Sequence, residues 1–281
     1  MRRNLTFFCT ATIMLSAAAG AVLAATNDPA TAPAADGMIK AHVYAHVESF
    51  EWKETLNGEQ FMKETGPLYG LGADVAVRLS RRFAVEGNLD FFYGDVDYDG
   101  AIQSEDGSST PYKTSTEYAG GQIELDLAFK QNLNKYCYLK PYAGLGLRAW
   151  QRNLDTKFAS SMGQYGYTEN WLTTYGILGL GGGVTLSAKT ELFAKAQVKL
   201  PIYNRQEIDF SNLSGPSDIT LEPGRKTSYS AEAGLTVHWF FASVFYETLK
   251  FSQSAPDTET GNFFQPDSEE TIVGVKAGYA F

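Results

Sequence analysis

From residue 38 to the last residue, apolar and polar side chains alternate one for one in segment after segment. "MIKAHVYAHVESFEW" sets Ile39, Ala41, Val43, Ala45 and Val47 against Lys40, His42, Tyr44, His46 and Glu48. "GPLYGLGADVAVRLS" sets Leu71, Ala73, Val75, Val77 and Leu79 against Gly72, Asp74 and Arg78. "YAGGQIELDLAFK" and "ELFAKAQVKLPIYN" repeat the pattern, and ten such segments can be counted up to Phe281. A period of two is that of a β-strand, whose successive side chains point to opposite faces. Tight connections ("SRR", "KQNLNK", "SAKT" and a turn at Trp239 and Phe240) alternate with five long polar stretches, 53–65, 95–116, 152–170, 205–226 and 252–269. An even strand count, with short turns at one rim and long loops at the other, predicts an all-β fold. The expected form is a transmembrane antiparallel up-and-down β-barrel.

A soluble β-sandwich or lipocalin-like barrel, with its apolar faces turned inward, is the alternative. The aromatic positions discriminate between the two. Phe50, Trp52, Phe91, Trp150, Trp171, Tyr203 and Phe251 fall toward the long-loop rim. Phe83, Tyr136, Tyr138, Trp239, Phe241, Tyr279 and Phe281 fall toward the short-turn rim. Two aromatic belts bounding an aliphatic band are expected of a bilayer with two interfaces. Backbone polar groups cannot stay unpaired in hydrocarbon, so the last strand must pair with the first.

That last strand is "TIVGVKAGYAF", with apolar or aromatic side chains at alternate positions and a terminal Phe281. The ending resembles the C-terminal signal of Gram-negative outer-membrane β-barrel proteins. "KETGPLYGLG", "KLPIYNR" and "EPGRK" resemble strings of small, porin-like members of that group. The resemblance implies insertion by barrel-assembly machinery, a cell-surface location in contact with outer-membrane lipid and lipopolysaccharide, and periplasmic termini.

Composition adds the route. Arg2 and Arg3, an Ala-rich apolar run from Leu5 to Leu23 and the exit "AVLA" read as a signal peptide over 1–24. A flexible Ala/Pro-rich leader (25–37) and the barrel (38–281) are expected to follow. The net charge of −9 becomes −11 without the two arginines, because residues 1–24 contain no acids, which argues against nucleic-acid binding. Cys137 is then the single remaining cysteine, so the fold needs no internal disulfide. Past the signal no apolar run reaches the length of a transmembrane helix.

The inward face is expected to carry Glu48, Asp74, Glu86, Asp90, Glu124, Asp126, Glu232 and Glu247, together with Lys40, Arg78, Lys130, Lys140, Arg148, Lys195, Lys199 and Lys276. Charges in a narrow lumen must pair and hydrogen-bond. The pattern therefore predicts a largely plugged barrel without enzymatic activity, structural or adhesive through its loops and open to an extracellular ligand. A narrow channel for small solutes is the alternative, and a lipid-modifying or proteolytic enzyme a third.

Local strings supply the site expectations. No cofactor is required, but "DVDYDGAIQSED" (95–106) spaces Asp95, Asp97, Asp99, Gly100 and Asp106 like a calcium loop. A solvated acidic strand end is the plainer reading. Arg148, Arg152, Arg205, Arg225 and Lys226, with Lys250, lie toward the loop rim, where they are expected to bind lipid phosphates or to pair with loop acids. Omptin proteases are the enzyme family to weigh, with Asp95 and Asp97 as half of a site. The other half needs an Asp–His pair in an outer loop, and His42, His46 and His238 all lie elsewhere. A Ser–His pair of His238 with Ser228 or Ser230 is the remaining hydrolase arrangement. His42 and His46, four residues apart on a strand, stand ~13 Å apart and are too distant to share a metal.

Overall fold

The computed structural model describes residues 39–103, 109–154, 167–209, 218–258 and 263–281. The chain runs β1 (Ile39–Leu56), β2 (Glu59–Arg78), β3 (Phe83–Gln103), β4 (Ser109–Phe129), β5 (Gln131–Asn132), β6 (Cys137–Leu154), β7 (Thr168–Ser187), β8 (Thr190–Asp209), β9 (Ile219–Leu221), β10 (Gly224–Val237), β11 (Phe240–Ser252) and β12 (Asp267–Ala280). Ten long strands, all antiparallel to their neighbours, form a closed barrel. The two short pieces are appendages, β5 on β6 and β9 on β8. Closure is made by β12, which pairs with β1 from Thr55↔Asp267 to His42↔Ala280. Beyond that ladder the Phe281 amide donates to the Ala41 carbonyl at 2.8 Å and the Ala41 amide donates back at 3.2 Å. The terminal Phe is thus the last rung of the seam.

The alternation sorts the side chains as expected. Val47, Val275 and Val244 lie side by side on the outer face of β1, β12 and β11, and all three are exposed. Leu71, Leu125, Leu127, Leu145, Leu178 and Leu180 extend the outer apolar band. A charge at its mid-height would have to enter hydrocarbon. Val275→Arg is therefore expected to cost about 2–4 kcal/mol of folding free energy, read from denaturant titration of the barrel refolded into bilayers.

Two expectations are corrected. The stretch 53–65 is a hairpin rather than a long loop: β1 and β2 continue to a two-residue turn, Asn57 (φ 53°) and Gly58 (φ 85°). Positive φ at both positions matches the right-handed twist of the flanking strands, and Asn-Gly is the pair that tolerates it. The other polar stretches likewise begin as strand, so β2, β3, β4, β7 and β8 each run 20 or 21 residues. At ~3.3 Å per residue and a tilt near 40°, about half of such a strand clears an apolar band ~25 Å tall. The barrel wall therefore stands well above the band at the end carrying the long connections.

The long-loop belt is also composed differently. Phe50, Trp52, Trp150, Trp171 and Phe251 point into the barrel and are buried, as does Phe241 at the other end. The outer girdle at that level is Tyr69, Phe91, Tyr93, Tyr229 and Tyr246, with Tyr69 and Tyr93 in register across β2 and β3. At the short-turn end Phe83, Tyr136, Trp239, Phe240, Tyr279 and Phe281 face outward. The parity of the strands forces this: Phe50 and Trp52 share the face of His46 and Glu48, not that of Val47. Above the girdle the outer face turns charged. There Lys53 and then Lys63 hydrogen-bond Glu51 and hold its carboxyl below the usual range.

Candidate functional site

The lumen is the part of the molecule where chemistry-bearing groups converge, and it is layered. In the half above the girdle Arg152 is the hub. Its Nε and Nη2 donate to Glu64 at 2.8–3.2 Å and its Nη1 donates to Glu169 at 2.8 Å. Glu54 lies 4.0 Å from the same guanidinium. Each carboxylate is held again from the side. Thr116 (2.7 Å) and Tyr118 donate to Glu64, Trp171 Nε1 donates to Glu169 at 2.9 Å, and Trp52 Nε1 and Gln265 donate to Glu54 at 3.0 Å. Burial nevertheless pushes the Glu54 carboxyl above the usual carboxylate range, with Arg152 pulling the other way.

Trp52 and Trp171, which donate, also pack, with Trp150 beside them. Trp150 and Trp171 stack with centroids 5.2 Å apart and planes 10° apart, while Trp52 and Phe251 each close on Trp171 at 5.2 Å. The strings "WKE" (52–54) and "ENW" (169–171) put indole and carboxylate two residues apart on one strand, hence on one face. That spacing is the local signal by which the indole–carboxylate pairs can be read from the chain.

One level down, Arg148 donates to Glu247 at 3.3 Å and also to Glu270, and its guanidinium lies over the Phe92 ring at 4.5 Å. Lys199 bridges Glu124 (2.9 Å) and Glu247 (2.7 Å), with Tyr175 and Gln197 donating to Glu124. Lower still, Lys195 and Lys276 share Glu232 at 3.2 Å. His46 sits between Glu48 (3.3 Å) and Asp90 (2.9 Å). It fits because β2 offers Gly70 opposite: a Cβ there would lie 2.0 Å from His46 Nε2 and 2.1 Å from the Phe91 carbonyl oxygen. Such pairs span the barrel, with Arg148 and Glu270 separated by 122 positions in sequence.

The expected site residues are dispersed. Arg148 and Arg152 are buried in the lumen, occupied by glutamates, and unavailable to lipid phosphate. Arg205 pairs with Glu207 and Lys226 with Asp267 (2.9 Å), so pairing with neighbouring acids prevails there. Arg225 is exposed, in register with Phe251. The calcium-loop geometry is not adopted over 95–103. Asp95, Asp97 and Asp99 stand in a row on the exposed face of β3, ~7 Å apart, with Asp99 paired to Lys113 at 2.6 Å. Asp106 and the leader 25–37 lie outside the described residues.

The hydrolase arrangements are not assembled either. His42 and His46 face the lumen, and His238 (φ 55°) is in a short turn. Ser228 is buried ten positions up the strand from His238, roughly 33 Å away, and Ser230 is eight positions up. Asp95 and Asp97 face outward, away from the mouth of the lumen.

No protein-family model and no curated protein sequence matches the chain. Among solved structures it is similar to the outer membrane protease OmpT from Escherichia coli, with a TM-score of 0.57 and 10% identity over 90% of this chain and 99% of that one. The outer membrane protein OprG from Pseudomonas aeruginosa follows at TM-score 0.41, 11% identity and coverage of 86% and 95%. The attachment invasion locus protein Ail of Yersinia pestis gives 0.33, 12% and coverage of 86% and 98%. At such identities the likeness to OmpT speaks for the fold alone. The fold of this chain is that of an outer-membrane β-barrel, closed by ten antiparallel strands.

Proposed function

We propose that the chain is a non-enzymatic barrel of the bacterial outer membrane with a plugged lumen. It would serve as a structural or surface-binding element through the end that carries the long connections. The observation that carries this reading is the cross-section at Arg152, where one guanidinium, three glutamates and the indoles of Trp52, Trp150 and Trp171 occupy the bore, all of them buried. The guanidinium and the three carboxylates are costly to separate, because each would be left as an uncompensated charge.

In this reading the termini lie in the periplasm and barrel-assembly machinery reads the closing strand. Outer-membrane lipid covers the apolar band, and Arg225, exposed at the end that carries the long connections, is the cation offered to lipopolysaccharide phosphates. Conductance of the purified barrel in planar bilayers tests the plug. The expected result is membrane insertion without steady unit openings. Reproducible openings would favour the narrow small-solute channel instead.

A further inference from the structure

Between the Arg148 layer and the Glu232 layer lies a cavity of about 40 Å³, bordered by Glu48, Asn88, Asp90, Gln122, Arg148 and Lys276. Two of these groups are incompletely bonded although nine-tenths or more buried. Among the described residues Glu48 Oε1 has no hydrogen-bond partner, and neither has Arg148 Nε. One can only accept and the other can only donate. The two Nη atoms of Arg148 are held by Glu247 and Glu270, while Glu48 Oε2 lies 3.3 Å from His46 Nδ1 without hydrogen-bond geometry.

The wall itself selects the guest. Arg148 and Lys276 oppose a cation, and no group of three or more His, Cys, Asp or Glu among the described residues is placed to hold a metal ion. Glu48, Asp90 and Glu247 oppose an anion. A neutral guest that accepts from a guanidinium and donates to a carboxylate is required, and the space suits on the order of two waters. We infer that this pocket is an internal hydration site in which water bridges Arg148 Nε to Glu48 Oε1.

Among the described residues, solvent reaches the lumen from the short-turn end but not from the other. Along the inward face of β1 the side-chain exposure falls from 60% at Lys40 through 26% at His42 to 1% at His46. Lys140 and Lys195, on β6 and β8, are also partly exposed at the short-turn end. Above the pocket Phe50, Phe92, Tyr118 and Trp150 close the bore with buried rings. The short-turn half is therefore a solvent-lined vestibule as far as His42; Tyr44 and Phe241, 2% and 1% exposed, separate it from the pocket, and the aromatic layer above the pocket is dry. The water joins the His46–Asp90 group to the Arg148–Glu247–Lys199 group as one network. This rests on the plugged-lumen reading.

A high-resolution crystal structure of the detergent-solubilised wild-type barrel tests it first. The expected result is ordered solvent within hydrogen-bond distance of both Glu48 Oε1 and Arg148 Nε, and none among the rings above. A dry pocket in well-ordered density overturns the inference while leaving the plug intact. Solvent running through the aromatic layer, by contrast, would overturn the plug. A double-mutant cycle of Glu48→Leu and Arg148→Lys supplies the second measurement, since the lysine keeps the charge and removes Nε. If water couples the two positions, the double variant loses less than the sum of the single losses in denaturation midpoint. Strict additivity counts against the bridge.

Discussion

Replacing Arg152 with methionine is expected to lower the unfolding free energy of the refolded barrel by about 3–5 kcal/mol, the cost of leaving a buried ion group without its partner. The guanidinium is the one cation within 4.0 Å of Glu54, Glu64 and Glu169 among the described residues. Its loss strands three carboxylates beside the indoles of Trp52 and Trp171. Charge rather than bulk sets the size of the effect, because methionine fills most of the same volume. The triple variant Arg152→Met, Glu64→Gln, Glu169→Gln should therefore recover a large part of the loss.

The deficit of the single variant should also depend on pH. Without Arg152, desolvation and mutual repulsion both raise the carboxyl proton affinities in the folded state. A carboxyl whose folded pKa lies above its unfolded value favours folding below that unfolded value and loses the contribution as pH rises through the folded one. The loss should accordingly be smaller near pH 5 than near pH 8. Urea titrations at the two pH values measure it. An equal loss at both would mean that packing, not charge, is what Arg152 contributes.

Trp171→Ala is expected to cost about 3–5 kcal/mol, the range for emptying a large aromatic site. Trp171 is 1% exposed and sits at the centre of the plug, stacked on Trp150 and closed by Trp52 and Phe251. Its removal also takes away the Nε1 donor of Glu169. Trp171→Phe keeps most of the ring surface and loses only that bond, so it should cost about 1–3 kcal/mol. The pair of variants separates packing from hydrogen bonding within one side chain. Tyr246→Ala, on the outer girdle, is the control: its ring meets the bilayer interface, and no lumenal group loses a partner.

Much of the candidate site was legible before the fold was known. The inward charges of β1, β4 and β8 were correctly assigned from parity, as were their neutral outward neighbours. Arg152 and the rings of Phe50, Trp52, Trp150, Trp171 and Phe251 lie near strand ends, but parity and not distance from the end sets the face of a side chain, and it turns all of them inward. The Asn57-Gly58 turn is hidden in a polar run, because charged residues on both faces describe a strand wall rising beyond the lipid as well as they describe a loop.

The residue order by itself determined the strands, the face each side chain takes and the need to close, because these follow from a two-residue period and from the cost of unpaired backbone in hydrocarbon. Only the tertiary structure decided who meets whom. Arg152 reaches Glu64 across 88 positions, and Gln265 reaches Glu54 across 211. Such partners are chosen by the stagger of a closed barrel, which brings side chains to a common height from opposite walls. Local alternation fixes the direction of a side chain but carries no information about that height.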